Sequence, residues 1–290
     1  MHVTQENPGT KAPPEGELPP ERLCKLPVFR PVAVQLLSEL AREEPDVARL
    51  VKLLHSDPAF GAELLTLANS ALYSRRTRTL TIQKSIHLIG LERTRALTVT
   101  VALNGMVRDT MNKIAVKDSW AHSRATALVA EWFAPFYGIQ PDQAYTAALM
   151  HDIGRLAMLS AYPEYRTLLA TATGSNLDLL RAEKRSLSVD HCEAGRWLTR
   201  IWGLPEEFWD AAARHHEPVS GTPGDRVDLL RVSCLLSQSL DFRAAPRIDY
   251  EPAEALIARI PEAILPHSRV SIPELSDYLG KAMQTDGSGL

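Results

Sequence analysis

The sequence predicts an all-α protein, and three observations support this fold class. Apolar residues recur at helical spacing along most of the chain, for example at i, i+3, i+4 and i+7 over residues 47–54. Residues that start and stop helices flank these patterns. No alternation of apolar and polar residues lasts long enough to predict a β-strand. We therefore expect roughly ten or more helices joined by short turns.

The helix signals can be followed in order along the first part of the chain. Asp46 is an N-cap for the helix that covers residues 47–54. Pro58 then begins a second helix, because proline in the first turn loses no hydrogen bond. In the third helix Ile82, Ile86 and Ile89 share one face. Gly90 stands where a glycine ends a helix.

Two further helices are predicted near the histidines of the second half. Asp190 and Glu193 have the spacing of a capping box, which places His191 in the first turn of a helix. Another helix starts near Pro205 and ends at the pair His215–His216. Adjacent residues on a helix point about 100° apart. We therefore expect these two side chains to reach different partners, one a metal ion and the other a phosphate or second metal.

Composition and charge exclude several classes of protein. The 290 residues are 45% apolar and carry a formal net charge of -3, so we expect no nucleic-acid partner. No apolar run reaches membrane-spanning length, and the three cysteines are too sparse for a disulfide framework. The polar, proline-rich residues 1–22 lack the features of a signal peptide. We expect a disordered leader there and a cytoplasmic protein.

Histidine is the residue type that carries the chemical signal. Five of the nine histidines lie within residues 122–216, and one of them is followed directly by aspartate. Imidazole and carboxylate together suit Fe, Mn, Zn or Mg. The candidate metal ligands are His122, His151, Asp152, His191, His215 and His216. Any one of them alone is better explained as an ordinary core or surface residue, and only the set indicates a common polar pocket.

Three stretches of the chain, in order, are similar to the HDOD family of bacterial signalling proteins. The first is LPVFRPVAVQLLSEL at residues 26–40. The second, at residues 55–97, contains HSDPAFGAELLTLANSALY and TIQKSIHLIGLERTRAL. The third contains ALMHDIGRLAM and DHCEAGRWLTRIWGLPEEFWDAAARHHEP, within residues 148–218. No glycine-rich phosphate loop or activated nucleophile accompanies them, so we predict no catalytic residue.

The resemblance implies a compact multi-helix bundle like that of the HD phosphohydrolases, with an additional N-terminal helical subdomain. Together with the composition of the two ends, it leads us to expect four segments: a disordered leader at residues 1–22, an N-terminal part of the HDOD domain at 23–110, an HD-like part at 111–245 and a C-terminal helical extension with a frayed tail at 246–290. The resemblance itself says nothing about the leader and little about the tail. Proteins of the HD superfamily bind divalent metals through a His…His-Asp…Asp pattern. By position, His122 matches the first histidine and His151–Asp152 the central pair.

The sequence departs from the active superfamily at the last ligand. Ser237 stands where an aspartate is expected, and a hydroxyl is a weak ligand for a divalent cation. Asp241 lies one helical turn further on and would substitute only if the helix shifted. His191, His215 and His216 match the extra histidines of the cyclic-di-GMP phosphodiesterase branch, but the Gly-Tyr-Pro signature of that branch is missing.

Two functions follow from this pattern. The first is a non-catalytic regulatory protein that contacts a signalling protein or senses a small ligand. It would bind a divalent metal incompletely or not at all. The second is a metal-dependent phosphohydrolase that acts on a nucleotide or a cyclic dinucleotide. A shared pocket requires His151 and Asp152 to meet His122 and one of His215 and His216.

Overall fold

The computed structural model describes residues 21–24, 31–42, 44–69, 81–107, 114–202 and 204–285. Most of the predicted leader and the polar tail lie outside these residues. The predicted boundary between the two halves of the domain, near residue 110, also lies outside them. The division into four segments therefore stays a prediction.

The prediction of an all-α fold is confirmed. Over the described residues the regular structure is helical, with an isolated parallel bridge between Gly174 and Ile248. The α-helices are α1 (Glu21–Cys24), α2 (Pro31–Leu40), α3 (Val47–Ser56), α4 (Pro58–Ala68), α5 (Ile82–Ile89), α6 (Leu91–Val107), α7 (Ile114–Phe133), α8 (Pro141–Met150), α9 (Ile153–Ala161), α10 (Tyr165–Thr171), α11 (Asn176–Leu187), α12 (His191–Ile201), α13 (Glu206–Arg214), α14 (Arg226–Ser239), α15 (Ala253–Arg259) and α16 (Ile272–Thr285).

The predicted helix signals have the expected geometry. The Asp46 side chain accepts hydrogen bonds from the first turn of α3. Asp190 and Glu193 form a complete capping box at the start of α12. Gly90 ends α5 with φ of 84°, a left-handed value that favours glycine. Because these hydrogen bonds are local, the ends of these helices could be predicted from the sequence.

The long helix α7 lies at the centre of the fold. It packs against α8, α9, α14 and α16, while α12 packs against α9 and α13. Among the earlier helices, α6 contacts α8 and α1 contacts α9. Buried apolar residues from both predicted halves join one hydrophobic core. Arg95 of α6 strengthens this contact, because it is ion-paired with Glu207 and stacks over the Phe208 ring.

Helices α9 and α12 approach each other unusually closely at two glycines. A Cβ atom at Gly154 would lie 1.9 Å from the carbonyl oxygen of His191 and 2.5 Å from the nitrogen of Gly195. A Cβ atom at Gly195 would lie 2.9 Å from the Cβ of Ala212. Gly154 and Gly195 thus permit the two backbones to approach closely. This contact brings the start of α12 beside the His–Asp pair.

None of the helices in the described ranges combines the length and the apolar character needed to cross a lipid bilayer.

Candidate functional site

Helix ends bring the predicted site residues into the interior of the fold. His122 lies within α7, whereas His151 and Asp152 form the junction between α8 and α9. His191 is the first residue of α12, and His215 with His216 directly follows α13. All of these side chains are buried except that of His216, which is half-buried.

His122 and His151 face each other across the space between α7 and α9. Their Nε2 atoms are 3.3 Å apart. Their Nδ1 atoms point to backbone carbonyls, at 2.9 Å from Phe242 O for His122 and 2.6 Å from Ala148 O for His151. Cys234 Sγ lies 3.6 Å from His122 Nε2. We call His122, His151 and Cys234 the first group.

Four further donors form a second group, which consists of His191, Cys192, His215 and His216. The Nε2 atoms of His191 and His216 are 3.0 Å apart. The two groups adjoin, because the ring centroids of His151 and His215 are 4.8 Å apart. The predicted convergence of His151 with His122 and His215 is therefore observed. Metal binding by these residues stays a prediction.

The Asp152 carboxylate is occupied by a cation from the protein itself. Arg155 Nε donates a hydrogen bond to Asp152 Oδ2 at 2.5 Å, and both side chains are buried. The same guanidinium contacts His191 Nε2 through NH2 at 3.0 Å and lies 3.9 Å from a Glu183 oxygen. Arg155 is therefore the cationic partner of Asp152, the carboxylate that the superfamily pattern would assign to a metal.

Glu183 is a buried carboxylate that the sequence analysis did not identify. It accepts hydrogen bonds from Tyr165 OH at 2.6 Å and from His191 N at 2.9 Å, and it lies 2.7 Å from His191 Nδ1. Burial by itself raises the pKa of Glu183, but His191, Arg155 and Tyr165 outweigh this effect and lower the pKa to about 2. Glu183 thus holds the His191 ring in place as an ionised partner.

Burial keeps four of the site histidines neutral, namely His122, His151, His215 and His216. Burial lowers the pKa of His122 and of His151 to about 3 each. Burial also lowers the pKa values of His215 and His216 well below the usual range. A neutral imidazole has one free lone pair, which is the form that binds a metal.

Ser237 occupies the position predicted for the missing aspartate. Its side chain is fully buried, and its Oγ lies 2.8 Å from Thr126 Oγ1 and 3.4 Å from His122 Nδ1. Asp241 does not replace it. Helix α14 ends at Ser239, and the Asp241 side chain is 85% exposed beside Arg243. The site therefore lacks a carboxylate on α14 at this position.

A cleft of about 570 Å³ opens from the second group toward the surface. His215 and His216 line its inner end, whereas Leu177 and Tyr250, both half exposed, lie at its rim. The loop after His216 is held by Asp228, which accepts hydrogen bonds from the nitrogens of Ser220 and Gly221. The cleft has a size typical of small-molecule sites.

The donor set fits one kind of metal ion better than another. The first group offers two imidazole nitrogens and one sulfur, all within 4.8 Å of one another. Such donors suit a single ion of the zinc type. The carboxylate-rich set that Mg²⁺ prefers is absent from this group, because Ser237 replaces aspartate and Asp152 is paired with Arg155.

The fold and the buried His–Asp cluster define an HD-like helical protein. A family model described as the HDOD domain matches residues 26–218. The chain therefore belongs to the HDOD family, as its motifs indicated.

Individual proteins are similar to this chain in sequence or in fold. An uncharacterised protein of Treponema pallidum (strain Nichols) is 28% identical over 186 residues, which are 61% of this chain and only 35% of that protein. A Shewanella amazonensis SB2B structure, provisionally named a phosphohydrolase, has a TM-score of 0.67 and 20% identity, and the match covers 91% of this chain and 94% of that one. A Geobacter sulfurreducens HDOD domain protein of unknown function has a TM-score of 0.60 and 20% identity, covering 90% of each chain. These structures show that the fold is shared.

The motifs did not single out Arg155, Glu183 or Cys234. Arg155 lies within the stretch ALMHDIGRLAM, but only the His–Asp pair of that stretch was recognised as a candidate, whereas Glu183 and Cys234 belong to no recognised motif. Glu183 nevertheless carried a readable signal. It lies four residues from both Leu179 and Leu187, which places a carboxylate on the apolar face of α11. A charge at such a position is buried and needs a partner.

Proposed function

We propose that this protein is a non-catalytic regulatory member of the HDOD family. The observation that carries the proposal is the Arg155 guanidinium, which is buried against Asp152 where a hydrolytic metal centre would need the carboxylate. The serine at position 237 supports the same conclusion, because it removes a second carboxylate. Both changes act against a metal-activated water.

Displacing Arg155 would be costly. The Arg155, Asp152 and Glu183 side chains are all buried, and the guanidinium compensates the two carboxylates. Removing one partner of a buried ion pair costs about 3–5 kcal/mol. A metal ion that used Asp152 as a ligand would have to compete with this internal cation. The network is thus better suited to a fixed structural role than to turnover.

The cleft supports a role in sensing a small ligand. Its inner end is formed by His215 and His216, and His216 contacts His191 of the buried network. A bound molecule would therefore touch the end of the same network that Arg155 organises. The output would pass to a signalling protein through surface contacts, in a cytoplasmic setting and without nucleic acid or membrane.

A metal-dependent phosphohydrolase is the second candidate, and one observation favours it. The Nε2 atoms of His122 and His151 lie 3.3 Å apart, with free lone pairs directed at a common point. These residues and Asp152 would hold the metal. When bound, such an ion supplies an activated water and stabilises charge on a phosphate.

Hydrolysis assays distinguish the two candidates. The untagged chain is incubated with Mn²⁺, Fe²⁺, Zn²⁺ or Mg²⁺ and with bis(p-nitrophenyl) phosphate, nucleotides and cyclic dinucleotides. A His151→Ala variant serves as the control. We expect no turnover above the variant. Metal-dependent turnover that disappears in the variant would contradict the proposal and establish the phosphohydrolase.

Ligand sensing is tested by calorimetric titration of the same nucleotides. Val219 lines the cleft and is half-buried, so a Val219→Trp variant fills part of the cleft. Position 219 lies outside the helices that carry the site histidines. We expect binding without turnover in the wild type and weakened binding in the variant. Equal binding in both would place the ligand elsewhere.

A further inference from the structure

The first group contains too few protons for the contacts that it makes. His122 Nδ1 faces the Phe242 carbonyl, His151 Nδ1 faces the Ala148 carbonyl, and the two Nε2 atoms face each other at 3.3 Å. Each of these three contacts needs one hydrogen between two lone pairs. Two neutral imidazoles carry only one N–H each. In every combination of tautomers, one of the three contacts has an acceptor on both sides and no hydrogen between them.

The second group has no such deficit. His191 Nδ1 donates to the Glu183 carboxylate, which leaves His191 Nε2 as an acceptor. This atom receives Arg155 NH2 and can receive the N–H of His216, each at 3.0 Å. Each of these contacts therefore has a hydrogen-bond donor. The shortage of hydrogens belongs specifically to the first group.

Cys234 supplies a third donor at the point where the two Nε2 atoms meet. Around a tetrahedral zinc ion, two nitrogens lie about 3.4 Å apart, and a nitrogen and a sulfur lie about 3.6 Å apart. The corresponding distances are 3.3 Å between the Nε2 atoms and 3.6 Å from Cys234 Sγ to His122 Nε2. The backbone carbonyls on both Nδ1 atoms orient the rings as the outer partners of metal-bound histidines do.

A buried acceptor next to His151 also lacks a partner. Asp152 Oδ1 is buried and accepts no hydrogen bond from the described residues. A cation close by would compensate this oxygen, because a buried polar atom without a partner is costly.

We infer that His122, His151 and Cys234 bind one zinc-type divalent cation, with the Cys234 thiolate as the ligand that takes over from the missing aspartate. The two Nε2 lone pairs and the sulfur form the bonds to the ion. Water leaves the ion except for one molecule, which stays at the remaining tetrahedral position, and the thiol proton is released to solvent. Zinc binding here does not depend on whether the protein hydrolyses a phosphate.

The test measures the metal directly. The full, untagged chain is purified and its zinc content determined by mass spectrometry, before and after reconstitution with Zn²⁺. The cobalt-substituted protein is then examined for the near-ultraviolet absorption of a thiolate bound to Co²⁺. We expect stoichiometric zinc and a clear thiolate-to-cobalt band in the wild type.

Two cysteine variants locate the sulfur ligand. Cys234→Ser should abolish the thiolate-to-cobalt band and weaken zinc binding by roughly tenfold or more. Cys192→Ser is the matched control, because Cys192 is the buried cysteine of the second group. It should keep both properties. Thermal unfolding checks that each variant is folded.

Several outcomes would overturn the inference. No retained zinc after reconstitution would mean that an extra proton, not a metal, joins the two imidazoles. A cobalt spectrum without the thiolate band in the wild type would exclude Cys234 even if the variant fails to fold. A band lost in Cys192→Ser and kept in Cys234→Ser would move the metal to the second group. None of these readouts involves hydrolysis, so they are independent of the assays for the proposed function.

Discussion

Single side chains at the start of α9 determine the chemical character of the site. Arg155 brings a permanent positive charge against Asp152, and Glu183 from α11 completes the network. A guanidinium stays protonated under all ordinary conditions and offers several donors in a fixed plane. The Glu183 carboxylate is consequently held ionised without any bound ion. This arrangement favours a rigid, permanently charged centre over one that exchanges metals and water.

Replacement of Glu183 by glutamine should reveal how strongly this network stabilises the fold. Glu183→Gln leaves Arg155 with less compensation and weakens the contact to His191. We expect the free energy of unfolding to fall by about 3–5 kcal/mol, as for other broken buried ion pairs. Denaturant unfolding measures the change.

The control lies on the same helix. Arg181 forms an exposed ion pair with Asp178 on α11, and its side chain is 68% exposed. Arg181→Ala should change the free energy of unfolding by only about 0.5 kcal/mol. Similar losses of unfolding free energy in both variants would show that the buried network stabilises the fold no more than an exposed ion pair does.

At the level of elements, the close contact between α9 and α12 assembles the site. Gly154 and Gly195 allow the two backbones to touch, and this contact places His191 within 3.7 Å of Asp152 Oδ1. Helices normally pack about 8–10 Å apart, and small residues permit the closer end of this range. The glycine of the HDIG stretch therefore acts through packing, not through a contact with a ligand.

A single methyl group at Gly154 should separate these helices. The added Cβ of Gly154→Ala would lie 1.9 Å from a backbone oxygen, which cannot move as a side-chain end can. We expect a loss of about 1–3 kcal/mol in unfolding free energy, together with weakened binding of zinc to the first group. Calorimetry and zinc titration measure the two effects.

Gly280 provides the matched control for this substitution. It lies within α16, and a Cβ atom there would meet nothing within 4 Å. Gly280→Ala should stabilise the protein by about 0.5–1 kcal/mol, because alanine restricts the unfolded chain more than glycine does. If Gly154→Ala were equally harmless, the close contact would not constrain the site.

For the whole molecule, the main consequence of the fold is a set of buried, neutral histidines covered by residues that follow α14. Phe242 accepts a hydrogen bond from His122, and Arg243 stacks on Tyr250 at 3.7 Å beside the cleft. Helix α16 also packs against α7. Residues after α14 thus close the interior that α7, α9 and α12 create. Opening this cover would expose the histidines to water and protons.

Stability should consequently fall in mild acid. His122 and His151 have folded-state pKa values of about 3, below the ordinary value of 6.5, so the unfolded chain binds more protons. Their stabilising contribution is complete above pH 6.5 and is lost as the pH falls toward 3. Each buried histidine contributes a slope of about 1.4 kcal/mol per pH unit in that range. Denaturant unfolding of the chelator-treated protein between about pH 7 and pH 5 measures it.

A histidine variant separates this effect from that of the carboxylates. Glu183 has a pKa of about 2, against an ordinary 4.5, so its contribution is lost only below pH 4.5. His151→Gln should therefore show a shallower slope above pH 5, by about 1.4 kcal/mol per pH unit. Stability that stays constant from pH 7 to pH 5 would contradict the presence of buried neutral histidines.

The sequence by itself determined the helical fold, the ends of several helices and the family. Asp46, Gly90 and the Asp190–Glu193 box were readable because capping joins groups only a few residues apart. Only the tertiary structure decided which charged and sulfur-bearing side chains enter the site. Glu183 lies within the site, whereas Asp241 lies outside it and is exposed. The reason is that contacts such as that between His122 and Cys234 join residues 112 apart, and packing of whole helices, not local hydrogen bonding, places them together.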